Sequence, residues 1–110
     1  IVTTPQNVSL IDARRGLKMF QQMGVNVLGI VENMSYFIPP DLPDRNYDIF
    51  GSGGGQKASQ ELQVPLLGCV PLEIPLRMGG DQGIPIVISD SESASAKALT
   101  AIAQQIAAKV

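Results

Sequence analysis

Residues 25–31, with the sequence VNVLGIV, form a nearly continuous apolar run that ends at Glu32 and Asn33. Such a run is typical of a strand that is buried on both faces of a parallel sheet. The two polar residues then follow the carboxyl end of that strand, and ligands bind beyond these ends in open α/β sheets. The stretch therefore predicts a core strand and a place where a site is expected.

Other apolar segments predict further strands. Residues 1–4 are a short β-rich run that ends at a proline, and residues 66–70 are an apolar run that also ends at a proline. Residues 85–89 predict a fourth short strand. Helical patterns separate these runs, and this alternation predicts an α/β fold, a partial parallel sheet with flanking helices and right-handed crossovers.

Two capping boxes predict where helices begin. Ser9 with Asp12 predicts the first N-cap, and Ser89 with Glu92 predicts the start of a C-terminal amphipathic helix. A short helix is expected after the glycine run. Residues 73–83 predict turns with at most one helical turn.

The length of 110 residues predicts one domain, residues 1–110. Within it, residues 35–51 contain three prolines and no periodicity, which predicts an irregular loop of a length that is usually functional or mobile. Because the first strand begins at the first residue and the sheet is thin, we expect one sheet edge to face chain outside these residues.

Composition and charge exclude several classes of protein. An apolar fraction of 45% excludes a disordered chain, and a net charge of −2 argues against a nucleic-acid partner. The chain has no histidine, so it builds no Ser-His-Asp site and no imidazole metal site. Its longest apolar stretch is broken by prolines and falls far short of the ~20 residues of a membrane span, so we expect no membrane partner.

A purine site is one interpretation of the residues that follow the strands. The Asn33 amide offers one donor and one acceptor, which match N7 and N6 of adenine, and Pro71 with Leu72 provides an apolar wall. In the alternative interpretation, Asn33 caps a turn and Pro71 only ends a strand. Spacing alone favours this second interpretation.

The glycine run invites a phosphate-binding interpretation. Gly53, Gly55 and Ala58 satisfy the loose pattern G-x-G-x-x-A, but the segment before them is a poor strand and the spacing is not that of a Walker A loop. We therefore interpret the run as a flexible entry into a helix.

Four other residues have a structural and a functional interpretation. Asp12, Arg14 and Arg15 cluster on the first predicted helix, either as a solvated face or as contacts across an interface. Cys69 lies in an apolar strand, which predicts a buried, unreactive thiol. A single cysteine also fits a reducing compartment.

Five ordered motifs together resemble the Mrp/ApbC family of iron–sulfur cluster carrier ATPases. They are TTPQ with SLIDARRG (residues 3–16), GIVENMS (29–35), IFG with GGG (49–55), PLLG with VPL (65–72) and DQGIPIV (81–87). The likeness covers nearly the whole chain and matches the C-terminal portion of a family member.

The resemblance implies a deviant P-loop NTPase fold related to MinD and ParA, a cytoplasmic hydrolase that binds ATP and Mg²⁺ and hydrolyses ATP slowly. It also implies a homodimer that forms across the nucleotide and delivers a [4Fe–4S] cluster to apoproteins. Asn33, Pro71 and Leu72 match the adenine-side positions, and the helix carrying Asp12, Arg14 and Arg15 matches a helix with interface contacts.

Two departures from the family pattern follow. The P-loop and the magnesium carboxylates are absent from these residues, so we assign no catalytic or metal residue and expect this chain alone not to hydrolyse ATP. The family's cluster-binding cysteines fall at Pro39 and Leu42, which cannot replace thiolates and put the [4Fe–4S] cluster in doubt. The alternatives are a nucleotide-switched regulator without a cluster and a free-standing module that binds protein partners.

Overall fold

The computed structural model describes all residues, 1–110. Three strands and five helices follow one another as β1 (Val2–Thr3), α1 (Asn7–Gln22), β2 (Ile30–Glu32), α2 (Gly54–Leu62), β3 (Leu66–Cys69), α3 (Ile74–Gln82), α4 (Ile86–Ser89) and α5 (Ala94–Lys109). None of the helices is both long enough and apolar enough to cross a membrane.

The strands form one parallel sheet in the order β1-β2-β3. In the centre of this sheet, Val31 pairs with Val2 on one side and with Gly68 on the other. The predicted α/β fold with a partial parallel sheet is therefore confirmed.

Helices cover both faces of the sheet, each over its own apolar cluster. On the α1 and α2 side, the buried residues are Leu10, Leu17, Ile30, Ala58 and Val64. On the α5 side, they are Leu67, Val70 and Ile102. Apolar residues on both faces of β2 and β3 fit this two-sided cover.

The first helix begins earlier than its predicted cap. Gln6 is the N-cap and has no side-chain cap bond, α1 starts at Asn7, and Ser9 lies inside the first turn. The first helical bond runs from the Leu10 N–H to the Gln6 carbonyl oxygen at 3.0 Å, because the chain turns as soon as it leaves Pro5. The predicted cap at Ser9 is therefore wrong.

The central strand is shorter than the apolar run that predicted it. Only residues 30–32 form a ladder, whereas residues 25–29 lie outside it. Val31 and Glu32 pair with β1 and Ile30 pairs with Leu66 of β3, whereas residues 25–29 have no ladder partner.

Two segments that predicted turns and a strand are helices. Residues 73–83 contain the nine-residue α3, with Pro75 in its first turn and Gly83 as a left-handed C-cap. The strand predicted at 85–89 is wrong, because the N–H groups of Ile88 and Ser89 bond back to the Pro85 carbonyl and close one helical turn, α4.

The second predicted capping box is also wrong. Ser93, not Ser89, is the N-cap of α5, and its side chain accepts a hydrogen bond from the Ala96 N–H at 3.1 Å. Ser89 is the last residue of α4 and Asp90 is its C-cap, so residues 90–92 form the connection between the two helices.

Candidate functional site

The backbone ladder between β2 and β3 continues beyond both strands. It runs through four hydrogen bonds, from Val70 N to Glu32 O (2.8 Å), Ser35 N to Val70 O (3.0 Å), Leu72 N to Tyr36 O (2.7 Å) and Ile38 N to Leu72 O (3.2 Å). Because the segment after β2 is bonded to the segment after β3, Asn33 and Leu72 lie at one edge of the sheet.

Asn33 is half-buried at the carboxyl end of β2. Its backbone N–H donates to the Thr3 carbonyl oxygen at 2.7 Å, and its side-chain Oδ1 accepts from the Met34 N–H at 2.9 Å. Met34 has a φ of 51°, so the chain turns sharply here. The side chain does cap this turn, but Oδ1 retains a second lone pair and Nδ2 remains available as a donor.

Pro71 and Leu72 differ in what they expose. The Pro71 ring is fully buried, whereas Leu72 is half-buried. Of the two residues, only Leu72 therefore exposes side-chain surface that a ligand could contact. An open cleft of about 190 Å³ lies between the segment of residues 35–51 and the start of α3. Ile38 lines it on one side and Glu73 on the other.

Glu32 is a buried carboxylate that sequence reasoning missed. It is 3% exposed, its Oε1 accepts from the Gly55 N–H at 2.8 Å, and its Oε2 accepts from the Ser35 hydroxyl. These two bonds tie the start of the 33–53 segment to its end. A signal for Glu32 did exist, since the residue directly before α2 is Gly53, which has no side chain to cap the helix.

The glycine run allows α2 to pack closely against this carboxylate. A Cβ on Gly55 would lie 3.1 Å from the Glu32 Cβ, and a Cβ on Gly54 would lie 2.6 Å from the Pro5 carbonyl oxygen. The absence of side chains therefore lets α2 begin directly against β2 and the end of β1. This close packing explains the glycines without a phosphate.

Glu73 is a second carboxylate with the same type of partners. Its Oε1 accepts from both the backbone N–H of Ser95, at 2.8 Å, and the Ser95 hydroxyl, at 2.6 Å. Ser95 is fully buried near the start of α5. The residue that follows Leu72 is thus bonded to a helix on the far side of β3.

Two other ionisable groups lie between these carboxylates. Burial raises the pKa of the Cys69 thiol, and the Glu32 charge raises it further, while a hydrogen bond with Ser35 lowers it. Burial also raises the pKa of Tyr36, with smaller contributions from Cys69 and Glu73. Cys69 is only partly buried, but its thiol remains protonated at neutral pH.

Asp12, Arg14 and Arg15 of α1 do not form one cluster. Arg14 is half-buried and pairs with Glu61 of α2 at 2.8 Å, with its Nε buried and unpartnered. Asp12 and Arg15 are exposed. Asp12 lies in the second turn of α1 and so does not cap the helix.

The chain offers no metal site of its own. No three side chains of the His, Cys, Asp and Glu types lie close enough together to hold a metal ion. Pro39 is buried and Leu42 is exposed, and neither carries a ligand atom. With Cys69 as their single cysteine, residues 1–110 supply no thiolate pair for a cluster.

Known proteins similar to this chain are iron–sulfur carriers. The chain is 86% identical, over all its 110 residues, to an iron–sulfur cluster carrier protein of Synechocystis and 49% identical to one of Deinococcus radiodurans. It is 42% identical, over 106 residues, to the iron–sulfur cluster transfer protein NUBPL of mouse. These matches span 31%, 31% and 33% of the relatives, so the chain covers about a third of their length.

Solved structures share the fold. The cell division ATPase MinD of Pyrococcus furiosus matches 98% of this chain and 41% of its own length, with a TM-score of 0.74 and 28% identity. MinD of Pyrococcus horikoshii, solved with Mg-ADP, matches with a TM-score of 0.71, 24% identity and coverages of 96% and 40%. The family model described as ParA, NUBPL iron-transfer P-loop NTPase, matches residues 1–107, and this chain belongs to that family.

Proposed function

We propose that residues 1–110 are the C-terminal portion of a P-loop NTPase domain in a longer ATP-binding iron–sulfur cluster carrier, called the parent protein below. Family membership and the span of about a third of the curated relatives support this assignment. Within the parent protein, this portion supplies the adenine side of the nucleotide site and part of a homodimer surface.

One observation carries the adenine assignment, namely that Asn33 and Leu72 lie at one edge of the sheet through a shared backbone ladder. The free Nδ2 donor and the second Oδ1 lone pair of Asn33 suit N7 and the N6 amino group of adenine. Leu72 offers half-buried apolar surface, and the buried Pro71 fixes the backbone before it. Asn33 thus orients the base and Leu72 packs against it.

Other parts of the parent protein bind the phosphates and Mg²⁺ in this proposal. Glu32 is the buried carboxylate nearest to this edge, and both of its oxygens are already bonded, to Gly55 and to Ser35. Because no three potential metal ligands come together in the chain, we assign Mg²⁺ and ATP hydrolysis to residues outside 1–110. The residues of this chain hold the base and not the reacting phosphate.

For the homodimer surface, the exposed residues of α1 are the ones available. Asp12 and Arg15 are exposed, whereas Arg14 is engaged with Glu61 inside the chain. We therefore assign interface contacts to Asp12 and Arg15 and a structural role to Arg14. Cytoplasmic localisation and delivery of a cluster to apoproteins complete the proposal.

A second candidate is a nucleotide-switched protein that carries no cluster. Pro39 and Leu42 favour it, because they stand where the resembled family has its cysteines. Iron and sulfide analysis of the parent protein after anaerobic reconstitution separates the two. About four irons and four sulfides per dimer support the carrier, and far less than this supports the switch.

The adenine assignment is tested by Asn33→Ala in the parent protein, measured with ATP and with inorganic tripolyphosphate. Loss of a bidentate contact is expected to weaken ATP binding about tenfold and to leave tripolyphosphate binding unchanged. Asn26→Ala is the matched control, since Asn26 is exposed and precedes the opposite end of β2. Equal weakening of both ligands by Asn33→Ala removes the adenine role.

A further inference from the structure

Glu73 joins the proposed base wall to α5. It directly follows Leu72, and its carboxylate accepts two hydrogen bonds from the fully buried Ser95. Glu73 itself is half-buried and adopts an extended backbone before α3. The side chain therefore reaches away from its own helix to bind another.

This contact is not needed to provide α5 with an N-cap. Ser93 already caps the helix by accepting from the Ala96 N–H, and its hydroxyl donates to the Asp90 carbonyl oxygen at 2.9 Å. A helix with a serine cap is stabilised at this end without help. The Glu73 bonds are therefore an addition whose main consequence is where they place residues 72 and 73.

Leu72 is held from two directions as a result. On the loop side, its N–H donates to the Tyr36 carbonyl oxygen and its carbonyl oxygen accepts from the Ile38 N–H. On the far side, Glu73 fixes the next residue to α5, which itself packs on β3 through Ile102. The loop-side bonds are backbone bonds, whereas Glu73 supplies a side-chain contact on the far side.

We propose that Glu73 is a positioning residue for the purine base: by holding Leu72 through Ser95, it sets how well the site distinguishes a purine nucleotide from a bare polyphosphate. This inference rests on the proposed adenine site. Binding sites of this kind need side chains held in place by a supporting layer of hydrogen bonds.

The test is Glu73→Ala in the parent protein, with dissociation constants measured for ATP and for inorganic tripolyphosphate. Loss of a charge-assisted contact is expected to weaken ATP binding about three- to tenfold and tripolyphosphate binding by less than about twofold. Glu73→Gln, which keeps one acceptor oxygen, is expected to recover most of the ATP affinity. A purely structural role would change the thermal midpoint without changing the ratio of the two constants.

Glu92→Ala is the matched control, because Glu92 is another carboxylate before α5 whose partner is only the exposed Lys97. It is expected to leave both constants unchanged. Ser95→Ala tests the same contact from the other side, since it removes the hydroxyl donor and keeps the backbone donor. It should change the ratio of the two dissociation constants less than Glu73→Ala does.

The outcomes separate the two proposals. If Asn33→Ala alters the ratio but Glu73→Ala does not, or Glu73→Ala weakens both ligands equally, the positioning role is wrong and the adenine site stands. If neither variant alters the ratio, the adenine site itself is wrong. If both alter it and Glu92→Ala does not, both proposals are supported.

Discussion

Glu32 and Glu73 occupy equivalent places and have different surroundings. Glu32 is the last residue of β2, and Glu73 lies beyond the end of β3. Each accepts from a serine hydroxyl and from the second backbone N–H of a later helix, Gly55 of α2 or Ser95 of α5. A carboxylate there suits the helix dipole. Glu32 is deeply buried and Glu73 is half-buried, so we expect the same contact to contribute differently to stability at the two places.

The helices explain that difference. Before α2 stands Gly53, which has no side chain to cap it, so Glu32 is its capping carboxylate. Before α5 stands Ser93, which caps the helix already. We therefore expect Glu32 to matter mainly for stability and Glu73 mainly for the placement of Leu72.

The largest effect is expected from Glu32→Ala. It leaves the buried Gly55 N–H and Ser35 hydroxyl without their partner, which costs about 2–4 kcal/mol of unfolding free energy. Urea denaturation of the parent protein measures it. For Glu73→Ala, whose helix retains its serine cap, we expect about 1 kcal/mol. Equal losses for the two variants would contradict the comparison.

Gly55→Ala tests the same capping contact from the helix side. Its added Cβ would lie 3.1 Å from the Glu32 Cβ and from the Leu66 Cδ1, so we expect a loss of about 1–2 kcal/mol. Gly80→Ala is the control, because nothing lies within 4 Å of its Cβ and it sits inside α3. We expect a gain of about 0.5–1 kcal/mol there. A neutral Gly55→Ala would show that α2 can move away from β2.

Ser93→Ala sharpens the comparison at the second helix. Removing the N-cap of α5 is expected to cost about 1 kcal/mol, and the double variant with Glu73→Ala should cost more than the sum of the two. The physical reason is that in each single variant the remaining cap compensates in part for the lost one, whereas in the double variant neither cap is left. Thermal or urea unfolding of the four proteins in this cycle measures the coupling, and strict additivity would mean that the caps act independently.

The smallest effect is on the reactivity of Cys69. Burial and, secondarily, the Glu32 charge raise the pKa of its thiol, so the thiolate fraction at a given pH is below that of a free cysteine. Alkylation should therefore be slow at neutral pH and rise only in the alkaline range. Glu32→Gln removes the charge and should move this rise to lower pH. Mass spectrometry of the labelled Cys69 peptide follows it, and an unchanged profile would exclude the influence of Glu32.

Part of this arrangement could be predicted from the sequence. The apolar runs predict the strands, and their order in an α/β fold predicts that Asn33 and Leu72 lie at the same edge of the sheet, because the carboxyl ends of parallel strands share an edge. Glu32 was missed because a glutamate at the end of an apolar run resembles a solvated residue. Its partner Gly55 is 23 residues away, a distance that local patterns do not reach.

The errors at α3 and α4 have a physical cause as well. Gly79 and Gly80 weaken the helical pattern of α3, yet a Cβ on Gly79 would lie 2.4 Å from the Ile84 carbonyl oxygen, so tertiary packing requires a glycine inside the helix. The short run after Pro85 contains β-branched residues, which favour a strand locally. Burial of Ile86 in the helical turn outweighs that preference.

We place the purine base at the carboxyl ends of β2 and β3, and photolabelling decides whether it binds there. The parent protein is irradiated with azidoadenosine triphosphate and Mg²⁺, and the labelled peptides are identified by mass spectrometry. We expect label within residues 33–38 or 71–74. Excess ATP should remove this label, and so should excess tripolyphosphate at equal site occupancy, whereas azidoadenosine without phosphates should label the same residues weakly. Label that ATP removes but that falls only elsewhere, for example on residues 24–29 at the opposite end of β2, would contradict it.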